Sequence, residues 1–300
     1  MKIVTFFKRP RYSLAKGLCK CPLISDKAAI KIFYRYRFKK NINLKNPQTF
    51  NEKLNWIKLY YRKDIFTTMV DKYEVKKLVT SKIGEEYVIP TLGVFDKWKD
   101  IDFNKIKPPF VIKPTHSSGT IAIIRSYKDS NLKKIEKEMK KALKRKYYLA
   151  SREWPYKNVK PRLIIEKYMS IEKEKNLPVY KFFCFNGEPY LVQTIKNDKT
   201  SYETIDYFDM DWNRLDLRQN FPNSKTPLSK PVNFEKMKEL AKTLSQGLPF
   251  IRVDLFLVNE QIYFSEYTFF SDAGFAKFHP EKWDRILGDK IILDIDGKVN

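Results

Sequence analysis

The sequence feature that most constrains this chain is a predicted β-hairpin over residues 250–270. One face of its first strand is apolar and alternates with period two, at Ile251, Val253, Leu255 and Leu257. The other face carries Arg252 and Asp254, and the returning strand carries Glu266 and Thr268. If Asp254 pairs with Glu266, two carboxylates oppose each other and repel. A Mg²⁺ ion shared with phosphate oxygens would relieve the repulsion, and a structural salt network is the alternative.

A second feature is VIKPTHSSGT, residues 111–120, where a strand-like run delivers a lysine to a loop of small residues. Lys113 on a rigid strand can reach phosphate oxygens, and the loop of Ser117, Ser118 and Gly119 lets backbone N–H groups approach them closely. His116 in this loop either contacts phosphate or substrate or is an ordinary loop residue. The Walker spacing of glycine and lysine is absent, so the segment is not a Walker loop.

A third feature is the pair Asp71-Lys72, which opens a helix predicted over residues 68–83 and ending before Gly84. A cation is disfavoured at a helix N-terminus, so an anionic ligand near Lys72 would compensate for it. An ordinary first-turn lysine is the alternative interpretation.

The remaining pattern mixes helices and strands without strict alternation, which predicts an α+β fold. Helices are predicted over residues 49–62, where Thr49 and Glu52 form a capping box, and over 132–149 and 233–245. Strands are predicted at residues 87–90, 101–103, 110–113, 163–168, 180–185 and 189–194, with Asn186-Gly187 as a hairpin turn.

The composition argues against several classes of protein. The 300 residues include only three cysteines, which do not make a disulfide framework, so a reducing cytosol is the expected compartment. No run of residues approaches the ~18 apolar residues of a membrane span. The first residues lack a clean apolar run and a cleavage site, so we expect no signal peptide.

The net charge is +24, an excess that attracts polyanions. From Met1 to Lys45 only Asp26 is acidic, against thirteen lysines and arginines, and apolar residues are interleaved among them. This segment is predicted either to lie on an anionic membrane surface or to pack its apolar face against the rest of the protein. No nucleic-acid motif accompanies it, so nucleic acid is not an expected partner.

The order of these motifs along the chain resembles the ATP-grasp superfamily, including D-alanine–D-alanine ligase and biotin carboxylase. The matching pieces are Asp71-Lys72, Gly84…Pro90, Lys113-Pro114 with its loop, Glu166, Arg252-x-Asp254 and Glu266-x-Thr268. The closer resemblance, over about residues 41–290, is to the teichuronopeptide-biosynthesis (TupA-like) ATP-grasp family. It is carried by the segments TFNEKLNWIKL, DKYEVKKLV, REWPY, KPRLIIEKY, YKFFCFNGEPYLV and IRVDLF.

The resemblance implies a nucleotide site. Lys72 and Lys113 would hold the α- and β-phosphates of ATP. The loop covering these phosphates would be Ser117, Ser118 and Gly119, with Ser118 standing where a glycine is expected. The adenine edge would meet Glu166 and the backbone of the residues after it, Lys167, Tyr168 and Met169.

The resemblance also implies a site for Mg²⁺ and for the reaction. Asp254 and Glu266 would ligate Mg²⁺, and Thr268 stands where the superfamily usually has an asparagine as the third ligand. Arg252 and Lys181 would face the γ-phosphate and the reaction intermediate.

The fold implied by the resemblance is an ATP-grasp fold, with ATP between two α+β lobes. Residues 1–66 would be a basic, mainly helical segment, residues 67–165 the first lobe, and residues 166–300 the second lobe with the Mg²⁺-binding hairpin.

Arg152 and Glu153 in REWPY are predicted either to bind substrate or to be exposed loop charges.

The implied activity is an ATP-dependent carboxylate–amine ligase acting through an acyl phosphate. It would join an amino acid or amine to an acidic sugar or polysaccharide intermediate of the capsule or cell surface. The expected location is the cytoplasm, with peripheral contact at the inner face of the plasma membrane. The alternatives are a kinase or glycosyltransferase of the same pathway, and a non-catalytic basic protein that binds glycan or membrane.

Overall fold

The computed structural model describes residues 17, 19–169, 179–197 and 200–293. Its helices are α1 (Asp26–Phe38), α2 (Phe50–Tyr60), α3 (Ile65–Val70), α4 (Glu74–Ile83), α5 (Leu132–Leu143), α6 (Phe234–Ser245) and α7 (Lys282–Asp289). Its strands are β1 (Thr91–Phe95), β2 (Phe110–Pro114), β3 (Ala122–Ile124), β4 (Leu163–Lys167), β5 (Val179–Phe185), β6 (Glu188–Lys196), β7 (Thr204–Asp209), β8 (Phe250–Val258) and β9 (Gln261–Thr268).

The first four strands form one antiparallel sheet in the order β1-β4-β2-β3. One face of this sheet is buried through Phe110, Ile112, Leu163 and Ile165, which pack with Met139 of α5. The lysine-rich opposite side of α5 faces solvent, as the amphipathic pattern of that helix predicts.

The other five strands form a second antiparallel sheet in the order β7-β6-β5-β8-β9. Helix α6 packs on one side of it, where Phe182 stacks on Phe234 with ring centroids 5.8 Å apart. Asn186 and Gly187 turn β5 into β6 with φ angles of 50° and 85°, which confirms the hairpin turn predicted there. Strands β5 and β8 lie in the middle of the sheet, so their side chains occupy fixed positions.

Helix α2 connects the N-terminal part of the chain to the segment that follows β9. The capping box of Thr49 and Glu52 is present, as predicted. Asn51 is fully buried and its amide nitrogen donates to the backbone oxygen of Ala276 and to Asp284, each at 2.9 Å. Its amide oxygen accepts from the backbone nitrogen of Ala276 at 2.8 Å.

The single helix predicted over residues 68–83 is wrong, because the structure has two helices there. Helix α3 ends at Val70, and Asp71 has an extended backbone with ψ at 115°. The Asp71 carboxylate then accepts from the backbone nitrogens of Tyr73 at 2.8 Å and Glu74 at 3.4 Å. An aspartate that satisfies the first free N–H groups of a helix starts a new helix, so α4 begins here.

The strands predicted at residues 87–90 and 101–103 are also wrong. Glu85–Tyr87 is a 3-10 turn and strand β1 begins only at Thr91, after a proline that has no N–H to donate. Residues 101–103 form coil and turn. The helix predicted to reach residue 149 ends at Leu143. The other predicted helices and strands are present within one or two residues.

The predicted basic segment, residues 1–66, is described only in part, because residues 1–16 and 18 lie outside the described residues. Helix α1 is basic and buries Ala29, Ile30 and Tyr34. The division of the chain at residues 66 and 165 stays a prediction. Among the described residues, no helix is both long enough and apolar enough to cross a membrane.

We expect Asn51→Ala to lower the free energy of unfolding by about 3 kcal/mol, because it leaves buried backbone groups of residue 276 without partners. Urea unfolding measures this loss. The exposed Asn104 provides a matched control, and Asn104→Ala should change the free energy by less than about 0.5 kcal/mol. Equal losses in the two variants would contradict the role assigned to Asn51.

Candidate active site

The hairpin of β8 and β9 has the register that the sequence predicts. Asp254 pairs directly with Glu266, and Arg252 pairs with Thr268. On the other side of β8, Lys181 of β5 pairs with Asp254. The side chains of Lys181, Asp254 and Glu266 therefore form a row across three neighbouring strands. We call this row, together with Arg252 and Thr268, the charged face.

Ion pairs compensate for the repulsion between the two carboxylates of the charged face. Arg252 donates from Nε and Nη2 to the two oxygens of Asp254, each at 2.7 Å. The Lys181 Nζ lies 3.5 Å from Asp254, and the Arg252 Nη2 lies 3.9 Å from Glu266. The salt network predicted as an alternative is thus present in the structure. Asp254 is buried, whereas the Glu266 side chain is 35% exposed and accessible to a ligand.

The residues of the charged face fit a metal ion only if a nucleotide supplies further oxygen ligands. Among the described residues, no group of three or more histidine, cysteine, aspartate or glutamate side chains could hold a metal ion. Asp254 and Glu266 provide two carboxylates, and Mg²⁺ usually takes one or two carboxylates together with substrate phosphates and water. The donor set therefore suits an ion delivered with phosphate.

The predicted phosphate lysines lie opposite the charged face. The Lys113 Nζ lies 2.6 Å from one oxygen of Glu166, and the Lys76 Nζ lies 2.7 Å from the other. Lys72 donates to the backbone oxygen of Ser117 in the predicted phosphate loop. Burial lowers the pKa of Lys72, and the strongest charge opposing that shift is Glu266. Lys72 and Lys113 both act on the Glu266 carboxylate, so the structure brings the two lysines close to the charged face.

Lys76 is a member of this cluster that the sequence analysis missed. It lies one helical turn after Lys72, on α4, and its side chain is 13% exposed. The four-residue spacing from Lys72 could have signalled a shared helix face. Its partner Glu166 is far away in sequence, so the ion pair itself has no local signal.

An exposed apolar strip continues from Lys113 along the first sheet. Val111 pairs with both Ile123 and Glu166, so these three residues share one face, and strand alternation places Lys113 on it as well. Ile121 and Ile123 are 45% and 44% exposed. Alternation along β8 likewise places the half-buried Phe256 on the same face as Asp254. Apolar side chains from both sheets thus flank the space beside the lysines.

The segment predicted to meet adenine runs off the end of β4. Glu166 is buried and ion-paired with the two lysines, so its observed partners are cations, and its contact with adenine stays a prediction. Lys167 is exposed, Tyr168 accepts from Arg125, and Met169 is half-buried.

In the phosphate loop, the buried Ser117 hydroxyl has no hydrogen-bond partner among the described residues, and Gly119 has a φ of 81°.

The REWPY segment is buried, so the interpretation of Arg152 and Glu153 as exposed loop charges is wrong. Arg152 is 3% exposed and Glu153 is 9% exposed. The Arg152 guanidinium donates to the backbone oxygens of Cys19 at 2.7 Å and Cys21 at 2.6 Å, and it pairs with Asp26 at 3.2 Å. Arg152 therefore fastens the segment that precedes α1 to REWPY.

The two sheets, the opposed lysines and carboxylates, and the small-residue loop define the ATP-grasp class of protein. The chain belongs to the TupA-like ATP-grasp family, whose family model matches residues 52–292. This membership supports an ATP-dependent ligase. Enzymes of the ATP-grasp class use ATP and typically Mg²⁺. Comparison with curated proteins gives no significant match.

Solved structures similar to this chain are ATP-grasp ligases. L-amino acid ligase from Bacillus licheniformis is 12% identical, with 89% of this chain and 62% of that chain covered and a TM-score of 0.48. D-alanine–D-alanine ligase from Bacillus anthracis complexed with ATP is 15% identical, with 72% and 55% covered and a TM-score of 0.39. N5-carboxyaminoimidazole synthetase from Staphylococcus aureus is 15% identical, with 67% and 44% covered and a TM-score of 0.38. This chain spans about half the length of the first solved structures that it matches, at 55%, 53% and 44%.

The ion pairs of Glu166 make the stability of the fold depend on pH. Burial alone would raise the pKa of Glu166, but the ammonium groups of Lys113 and Lys76 outweigh it and hold the pKa below the ordinary 4.5. A carboxyl with a depressed folded-state pKa stabilises the fold above its ordinary pKa, and this stabilisation is lost as the pH falls through the folded-state pKa.

We expect Glu166→Gln to lower the free energy of unfolding by about 3 kcal/mol at neutral pH, because two half-buried lysines lose their counter-ion. The difference from the wild type should shrink as the pH falls below the ordinary pKa, which urea unfolding across acidic pH measures. Glu188 pairs with Lys242 at the surface, and Glu188→Gln should have an effect below about 0.5 kcal/mol. A Glu166→Gln difference that stays constant with pH would contradict this account.

Proposed function

We propose that this protein is an ATP-dependent carboxylate–amine ligase that acts through an acyl phosphate. The observation that carries the proposal is the direct pairing of Asp254 with Glu266, opposite Lys72 and Lys113. Two carboxylates facing two lysines across a cleft suit a polyphosphate with a divalent cation between the charges.

In this proposal, each part of the nucleotide has a place in the cleft. Lys72 and Lys113 bind the α- and β-phosphates, and the backbone N–H groups of Ser117, Ser118 and Gly119 cover them. Adenine lies along the apolar strip, with its edge at the backbone of residues 166–169. Asp254 and Glu266 hold Mg²⁺, and the Thr268 hydroxyl takes the place of the usual asparagine. When bound, Mg²⁺ neutralises the negative charge of the phosphates.

The proposed reaction has two steps. An oxygen of the substrate carboxylate attacks the γ-phosphorus, the bond to ADP breaks, and an acyl phosphate forms. The nitrogen of an amine then attacks the acyl carbon, the carbon–oxygen bond to phosphate breaks, and an amide and inorganic phosphate result. Arg252 and Lys181 stabilise the charge that develops on the transferred group.

We further propose that the carboxylate belongs to an acidic sugar or polysaccharide intermediate of the capsule or cell surface, and that the amine is an amino acid or a simple amine. The TupA-like family supports a role in surface polymers, and the net charge of +24 suits an anionic glycan. The proposed location is the cytoplasm, with the basic helix α1 at the inner face of the plasma membrane.

The nucleotide site is tested by the thermal stability of the wild type and of Lys113→Ala with ATP and Mg²⁺. Ligand at about 100 times its Kd adds about 2.7 kcal/mol to the stability, which for a chain of this size raises the melting temperature by about 5 °C. The wild-type shift should require Mg²⁺ and be lost in Lys113→Ala. The exposed Lys160 pairs with Asp96, and Lys160→Ala should keep the shift. A full shift in Lys113→Ala would refute the proposed phosphate contact.

The reaction type is tested by adding hydroxylamine to a mixture of ATP, Mg²⁺ and a panel of sugar acids. Hydroxylamine converts an acyl phosphate to a hydroxamate, so a ligase should give hydroxamate and ADP in equal amounts, and Asp254→Asn should give neither. ADP with a stable phosphorylated sugar and no hydroxamate would instead establish a kinase. Transfer of a sugar without ADP would establish a glycosyltransferase. Binding of glycan or liposomes without any turnover would leave the non-catalytic interpretation.

A further inference from the structure

Glu153 is a buried carboxylate that differs from the other carboxylates of the cleft. It is 9% exposed, and one of its oxygens accepts from the Ser151 hydroxyl at 2.5 Å. Within the described part of the chain, no lysine or arginine nitrogen lies within 4.0 Å of it. By contrast, Glu166 pairs with two lysines and Asp254 pairs with Arg252 and Lys181. A buried carboxylate without a direct ion pair is costly, so the site is suited to a further cation that is not part of the chain.

Lys58 is the positive charge that acts most strongly on Glu153, but the two side chains make no direct ion pair. The Lys58 Nζ donates to the backbone oxygens of Ala273 at 2.6 Å and Ser151 at 3.2 Å, and to the side-chain oxygen of Asn55 at 3.3 Å. Three neutral acceptors therefore occupy the three N–H groups of this ammonium. Ser151 lies between the two charges, because its backbone oxygen accepts from Lys58 while its hydroxyl donates to Glu153.

Ring contacts place the segment that carries Glu153 beside the end of β9. The ring centroid of Phe66 lies 5.9 Å from that of Trp154, which follows Glu153, and 4.4 Å from that of Phe269, which follows Thr268 of the charged face. Burial is the main cause that raises the pKa of Glu153, Lys58 opposes the shift, and Glu266 adds to it. Arg252 also acts on this carboxyl. These ring contacts, together with the charges of Glu266 and Arg252, place Glu153 near the position where the acyl phosphate of the proposed reaction would stand.

Two tyrosines lie close to Glu153, since the backbone nitrogen of Tyr156 donates to the backbone oxygen of Glu153 at 3.2 Å and Tyr147 packs on Tyr156. The rings of Tyr147 and Tyr156 meet edge to face, with centroids 4.8 Å apart. Burial raises the pKa of both phenols, and Glu153 is the strongest charge that adds to each shift, followed by Glu266 for Tyr156. Aromatic rings next to a carboxylate attract cations, since both the ring faces and the carboxylate carry negative charge.

We propose that Glu153, Tyr147 and Tyr156 form an amine subsite that binds the ammonium group of the acceptor substrate. This inference rests on the proposed ligase function, which requires an amine close to the acyl phosphate. The negative charge excludes the carboxylate substrate from this place. A single carboxylate with aromatic neighbours suits an organic ammonium better than a metal ion, which takes several oxygen ligands.

The test compares ligands that differ only in the ammonium group. The protein is first saturated with Mg²⁺ and a non-hydrolysable ATP analogue, and the melting temperature then shows that the nucleotide site is filled. Isothermal titration follows with two matched pairs, L-alanine against L-lactate and ethanolamine against ethylene glycol. The variants are Glu153→Gln, which keeps the size of the side chain and an acceptor for Ser151, and Tyr156→Leu, which removes the ring. The control is Glu188→Gln, which changes an exposed glutamate.

The expected result is that at least one amine binds the wild type and Glu188→Gln at least tenfold more tightly than its hydroxyl counterpart. Glu153→Gln should lose this preference, Tyr156→Leu should weaken it, and all variants should keep the nucleotide shift. Amine binding that is equal in Glu153→Gln and the wild type would overturn the amine subsite. A wild type that shifts with nucleotide but binds neither amine would also overturn it, and the ligase proposal would stand. Amine binding that depends on Glu153, without any nucleotide shift, would support the subsite and refute the ligase proposal.

Discussion

The antiparallel pairing of β8 with β5 and β9 is the constraint on which the rest of the site depends. It places Asp254 between Lys181 and Glu266 and thereby opposes two carboxylates on neighbouring strands. Such a pair is unfavourable by itself, and the bidentate contact of Arg252 with Asp254 makes it tolerable. Because Glu266 has only a distant ion pair with Arg252, at 3.9 Å, it remains the carboxylate most accessible to a ligand.

Glu166 provides a comparable balance of charges in the first sheet. Its two lysines come from different elements, Lys113 from β2 and Lys76 from α4. If a phosphate draws Lys113 away, Lys76 still neutralises the buried carboxylate, so the cluster can exchange one counter-ion without leaving a bare charge. This arrangement gives the half-buried Lys76 a role that differs from the roles of Lys72 and Lys113.

The hairpin part of the charged face could be predicted from the sequence because its signal is local, whereas Lys181 was predicted only from the family resemblance. Alternation with period two fixes which side chains share a face, and the apolar residues of β8 fix which face is buried. Alternation along a strand does not predict three other features of the structure. They are the bulge after Asp254, the ion pair of Lys76 with Glu166 and the burial of Arg152. The ion pair and the burial depend on residues that are distant in sequence. The bulge depends on one extra residue in a strand, which no sequence pattern marks. The break at Asp71 did have a local signal, an aspartate able to cap a helix, but the apolar periodicity across it favoured one helix.

Helix α2, in the N-terminal part of the chain, contacts the turn that follows β9. After β9 the backbone passes through Asp272 and Ala273 with φ angles of 47° and 56°, a conformation that side chains other than glycine disfavour. Lys58 binds the oxygen of Ala273, and the amide of Asn55 binds the oxygen of Gly274 at 2.7 Å. A turn with a strained backbone persists where several surrounding contacts hold it in place. Because Lys58 also binds the backbone of Ser151, one helix, α2, holds both this turn and the segment that carries Glu153 in place. Helix α2 therefore positions two segments that the proposed amine subsite requires.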